Sequence, residues 1–298
     1  MMKPRKITLG IDIAGAPGRQ FDLALVNWEN SEVLWERMPL GTRGEDYPLY
    51  NFNQIRTATA DGDLEKIAEL SYNIVGHVGE RLCNSFNNLN IMLKDIDVIA
   101  IDSPSGFSRN TMGHGRATEK VWRYFLPTDR RRDFMVNFQM SPSISCGRER
   151  GNHWSWIIFG MGAFHVLDNN FRFDKKTWLN FIQNGIKNKE KIIEIFPRVT
   201  IQSIRIQGND AIAILIKILN KLRNTQIENE LIKNALYNGQ RTGNDRADSL
   251  IAALTTLPFV YSDRFKSITL KNANPRNYNP INSISWDREG FIYTLIQN

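Results

Sequence analysis

The chain has 298 residues, 42% of them hydrophobic and 23% charged, with a formal net charge of +7 at pH 7. This is ordinary globular composition, enough for one large α/β domain with insertions, and its basic balance leans towards polyanionic partners. Cys83 and Cys146 are the only cysteines, which excludes a disulfide framework and a cysteine zinc site.

The elements follow in chain order. KITLGIDIAG (6–15) predicts a strand with Ile7, Leu9, Ile11 and Ile13 on one face and Thr8, Gly10, Asp12 and Ala14 on the other. This reading, with Asp12 inside the run, argues against a signal peptide. FDLALVNW (21–28) and VLWERMPL (33–40) continue as an antiparallel meander. Residues 41–62 show no period and read as a polar loop. The stretch 63–82 predicts a helix burying Ile67, Leu70, Ile74 and Val78, and IDVIAIDSPSG (96–106) a strand of buried type. Residues 107–188 read as an insertion: a helix at 117–126, a basic irregular stretch at 128–153, and an apolar helix at 154–170. KEKIIEIFP (189–197) is a further buried strand, followed by helices at 209–223, 226–237 and 244–257 and a polar tail with short strands near 282–296. No segment reaches the roughly 18 uninterrupted apolar residues of a membrane span. A soluble, cytoplasmic protein is expected. The order β-β-β-α-β, insertion, β, helices is the layout of the ribonuclease H-like fold. The expectation is a single α/β domain over 1–298, with a five-stranded mixed sheet flanked by helices and the insertion between the fourth and fifth strands.

Three separated elements each offer carboxylates. Asp12 lies in the first strand beside the small residues Gly10 and Ala14, and Asp102 ends the fourth. GNDRADSLIAAL (243–254) opens with Asp245 and Asp248 on one stripe beside the apolar face of Ala247, Leu250, Ile251 and Leu254. A central first strand with the fourth as neighbour brings Asp12 and Asp102 side by side, and a helix across the sheet adds Asp248. Like charges so close need a counter-charge. Mg²⁺ or Mn²⁺ suits an all-carboxylate set, and two such ions roughly 3.5–4 Å apart can activate water and stabilise a leaving phosphodiester oxygen. The competing readings are structural. Asp102 can serve as a turn former, and Asp245 as a helix cap or a first-turn residue favoured by the helix dipole.

GIDIAG (10–15), IAIDSPSGFSRN (99–110), GRATEKVWR (115–123), IIEIFPRVTIQSI (192–204) and NDRADSLIAAL (244–254) resemble, in this order, the blocks of a domain-of-unknown-function family described as predicted ribonuclease H-fold nucleases. The last block also resembles the DxxDA-type helix of RuvC-like Holliday junction resolvases. The resemblance covers about residues 6–257. It implies a Mg²⁺- or Mn²⁺-dependent nuclease acting on DNA or RNA. Asp12, Asp102 and Asp248 match the metal-binding acids, Asp245 an additional acid one turn earlier, and Glu194 a glutamate at the end of a later strand. Arg116, Glu119 and Arg123 match a polar helical block expected to meet substrate. Ser249 stands where alanine is common, and SPSG replaces a more apolar loop.

His114, in NTMGHGR, is a further candidate for contacting phosphate or orienting water. Arg130, Arg131, Arg132, Arg148 and Arg150 are candidates for phosphate binding, and Trp122, Trp154 and Trp156 for base stacking, against a solvated loop beside core tryptophans. His165 reads as a packed core histidine. Two other functions share this core: a non-catalytic nucleic-acid or protein-binding module, and an actin-like or sugar-kinase-like phosphotransferase, for which GAPGRQ (15–20) is a poor phosphate loop. Oligomeric state stays open, with a homodimer among the options.

Overall fold

The computed structural model describes residues 7–13, 20–40, 52–106, 151–188, 191–239, 241–261, 265–269 and 292–297. A mixed sheet orders its strands β3-β2-β1-β4-β5-β7-β6. The first three strands are β1 (Ile7–Asp12), β2 (Gln20–Asn27) and β3 (Glu32–Pro39), followed by β4 (Val98–Asp102), β5 (Ile192–Ile195), β6 (Phe265–Thr269) and β7 (Ile292–Gln297). β1, β4, β5 and β7 run parallel, while β2 and β3 form the expected antiparallel meander. The five-stranded mixed core foreseen from the sequence is therefore present. It is extended by β7 and β6, where the polar tail had offered only short strands near 282–296.

Period-2 alternation divides the core. Leu9 and Ile11 of β1, Phe21 and Leu23 of β2, and Ile99 and Ile101 of β4 are fully buried on one face. There they pack against α1 (Phe52–Ala60), α2 (Leu64–Asn88), α3 (Gly151–Asp168) and α4 (Lys175–Asn184). Ala24, Val26 and Val33 face the other way, onto α5 (Pro197–Gln207), α6 (Asn209–Leu219), α7 (Gln226–Asn238), α8 (Asp245–Leu254) and the short α9 (Leu257–Val260). Among the described residues no helix is long and apolar enough to cross a membrane.

Several helices depart from the sequence reading. α1 lies within the stretch read as loop. Its buried stripe is only Ile55, Ala58 and Thr59, too short to show a period, and Phe52 packs edge-on against Phe159 at 6.0 Å. α4 was missed, although Asp174 and Thr177 form a capping box at its start. α5 was missed because IIEIFPRVTIQSI reads as one apolar run. Pro197 enters the helix as its first residue, where a missing N–H costs nothing. α2 runs six residues beyond the predicted end at 82, to Asn88, with Asp63 as its cap, accepting from the Lys66 amide at 2.9 Å.

Close approach fixes one glycine. α8 crosses directly over β1, and a Cβ at Gly10 would collide with the Ser249 carbonyl oxygen and the Ala253 amide, both backbone atoms that cannot swing aside. The absence of a side chain at Gly10 is what lets the start of α8 reach the end of β1.

Candidate active site

Strand register assembles the acids. Asp12 and Asp102 are direct partners across the parallel β1–β4 pair. Neighbouring strands lie about 4.8 Å apart, so the two carboxyls stand side by side on the face that α8 covers. Asp12 is half-buried and Asp102 buried. Burial first, then the charges of Asp102, Asp248 and Asp245, hold the Asp12 carboxyl well above the usual carboxylate range, and burial with the charges of Asp248, Glu194 and Asp245 does the same to Asp102. Asp102 Oδ1 is buried without a hydrogen-bond partner.

α8 supplies the next carboxyls. Its cap is Asn244, whose side chain accepts from the Ala247 amide at 3.0 Å, so Asp245 is the first helical residue and Asp248 lies one turn on. Asp248 is half-buried and accepts from Thr242 Oγ1 at 2.6 Å. Desolvation pushes its pKa up to about 6, Asp245 adds to the rise, and Thr242 and Arg241 pull the other way. Thr242 is thus the hydrogen-bond partner of Asp248 at the edge of the apolar face.

Two findings change the predicted set. Glu194 is not on the acid face. It pairs in register with Ile101, whereas Asp102 pairs with Ile195, and alternation turns Glu194 to the opposite side of the sheet. There its Oε2 accepts from the Ser105 amide at 2.9 Å and from Ser105 Oγ at 2.8 Å. It holds the turn that follows Asp102, and its charge adds to the rise of the Asp102 carboxyl. Asp22 was not predicted. It pairs with Asp12 across β1–β2 and with Arg37 across β2–β3, which makes a row Arg37, Asp22, Asp12, Asp102 across four adjacent strands. Asp22 is 1% exposed, and burial raises its pKa despite an ion pair with Arg37 Nε at 3.1 Å. The available signal was the lone acid in FDLALV, but only register shows whom it faces.

The remaining candidates separate as follows. Arg116, Glu119, Arg123, His114, Trp122 and the arginines at 130–132, 148 and 150 lie outside the described residues. Trp156 is half-buried and packed against the core, as the reading of a tryptophan in the helix core expects. His165 is fully buried among Phe173, Trp178 and Phe181, its pKa lowered by desolvation to about 4, as a packed core histidine should be.

As they stand, no three or more His, Cys, Asp or Glu side chains among the described residues are placed to hold a metal ion. The donor chemistry nonetheless suits a hard divalent cation. Every donor is a carboxylate oxygen, Asp102 Oδ1 is orphaned, and burial raises the pKa of Asp12, Asp102 and Asp248, so that ionising them together calls for a counter-charge. Comparison of the chain with protein-family models, with curated proteins and with solved structures finds no match.

Proposed function

We propose that this chain is a Mg²⁺- or Mn²⁺-dependent nuclease of ribonuclease H-like fold that hydrolyses phosphodiester bonds of DNA or RNA. The observation that carries the reading is the side-by-side register of Asp12 and Asp102 beneath the start of α8, which brings Asp248 and Asp245 over the same sheet face. The strand order β3-β2-β1-β4-β5 and the α8 crossing at Gly10 support the fold assignment. Asp12, Asp102 and Asp248 would hold the metal, with Asp245 as accessory. When bound, the metal supplies an activated water and a counter-charge for the phosphate.

The chain's own residues do the rest. Asp12 and Asp102, both held above the usual carboxylate range, would have to ionise for the cluster to hold a cation. Asp248, which accepts from Thr242 Oγ1, would be one of the carboxylates holding the cation. Glu194 fixes the Ser103–Ser105 turn and with it the end of β4. The net charge of +7 favours a polyanionic substrate. The exposed free thiol of Cys83 fits the reducing cytoplasm expected from the sequence.

The test is a cleavage panel of single- and double-stranded DNA and RNA, an RNA–DNA hybrid and a four-way junction, with Mg²⁺, Mn²⁺ or chelator. Metal-dependent cutting that Asp12→Asn abolishes without unfolding supports the reading. Full activity in that variant removes the metal assignment. Nucleic-acid binding without turnover would favour a binding module, and stabilisation by ATP a phosphotransferase.

A further inference from the structure

Beside the acid row lies a cavity of about 350 Å³. Its lining is of two kinds, the carboxyls of Asp102, Asp245 and Asp248 and the apolar side chains of Phe196, Ile201 and Ile251. This volume is near the lower limit of ligand clefts, which run from about 300 to 1,000 Å³. It has room for one base with its sugar, not for a stacked pair. Phe196 is half-buried at the cavity, where an aromatic ring gives a base a stacking partner of any sequence. The first turn of α5 lines the same space. Arg241 adds an exposed cation at the rim. Asp102 Oδ1, buried and unpartnered, belongs to this wall.

We propose that the cavity takes a single nucleotide unit. Its base lies against Phe196, Ile201 and Ile251, and its phosphate lies towards the carboxylates. The substrate class is then an unpaired nucleotide, either free or at an unpaired position of a strand, and not a base pair within a duplex. This rests on the reading of the acid cluster as a phosphodiester site and narrows it.

Nucleoside 5′-monophosphates contain no phosphodiester bond and can be titrated with Mg²⁺ present and no turnover. Calorimetry on the full chain should show AMP or dTMP binding at least tenfold tighter than adenosine or ribose 5-phosphate. Gln202 lines the cavity from α5 and is half-buried, so Gln202→Phe and Gln202→Trp fill it to increasing degrees. Affinity should fall stepwise, severalfold and then more than tenfold, with thermal unfolding confirming that both variants fold. If Gln202→Trp does not fold, the fall in Gln202→Phe alone decides. Competition by single-stranded ends but not blunt duplex identifies a strand as the source, while competition by neither identifies the free nucleotide. Either pattern supports the cavity assignment. Monophosphate binding with no cleavage of any polymer also supports it while removing the nuclease reading. Metal-dependent cleavage unchanged in both variants, with no monophosphate binding, overturns it and leaves the nuclease reading intact. Blunt duplex competing as well as unpaired ends likewise overturns it.

Discussion

Asp248→Asn should make the protein more stable at pH 8 and no more stable at pH 4. Burial beside Asp245 pushes the Asp248 carboxyl from 3.8 to about 6, so the folded chain holds that proton more tightly than the unfolded chain does. The sign follows from linkage. Where the native state binds more protons, stability falls as pH rises, here between about pH 4 and about pH 6, and the loss is complete above that window. A displacement of this size corresponds to ~3 kcal/mol for a fully shielded group, and part-exposure brings it to ~2 kcal/mol. Asparagine keeps an oxygen to accept from Thr242 Oγ1 and cannot ionise. The variant should therefore gain ~2 kcal/mol at pH 8, roughly 4 °C in Tm for a chain of this size. The assay is thermal and urea unfolding of both proteins at pH 4 and pH 8 with chelator present. Groups common to both proteins cancel in the difference. An equal advantage at both pH values, or a loss of stability at pH 8, would refute the claim that this carboxylate is held against its own charge.

Thr242→Val removes the hydrogen bond that favours the ionised Asp248, so its titration should move above about 6, read from the side-chain carboxyl carbon by NMR. Gly10→Ala should cost at least ~3 kcal/mol in urea unfolding, because the added methyl meets backbone of α8 that can yield only by shifting the helix. A cost below ~1 kcal/mol would mean that α8 does not cross β1 so closely. Ser105→Ala removes the hydroxyl hydrogen bond to the Glu194 carboxylate and should cost ~2 kcal/mol by the same measurement, while Glu194 keeps the amide contact.

The acid face of β1 was legible because strand alternation is local: Thr8, Gly10 and Asp12 had to share a side once Leu9 and Ile11 were buried. The stripe of Asp245 and Asp248 was legible for the same reason, at helical period. What alternation does not contain is the neighbour. Asp22 and Glu194 both sit in short apolar strands, and each could belong to either face of the sheet. Register alone makes Asp22 a partner of Asp12 and turns Glu194 away to Ser105. The helices missed were those whose evidence lies outside their own sequence. α1 shows too few buried positions to reveal a period, and α5 is hidden in an apolar run until Pro197 marks its start. In the sequence Gly10 stands out only as a small residue beside Asp12, a place that leaves space next to the strand. The structure gives that room to α8.

The central claim is that the paired carboxyls of β1 and β4 hold a divalent cation together with α8. Mn²⁺ titration by calorimetry at pH 6, repeated in two buffers of different ionisation enthalpy, tests it most directly. The account predicts binding that releases protons from the carboxyls now held above their usual range, and loss of both the binding and the proton release in Asp12→Asn. Mn²⁺ binding of equal strength in wild type and variant, or no binding in either, would contradict it.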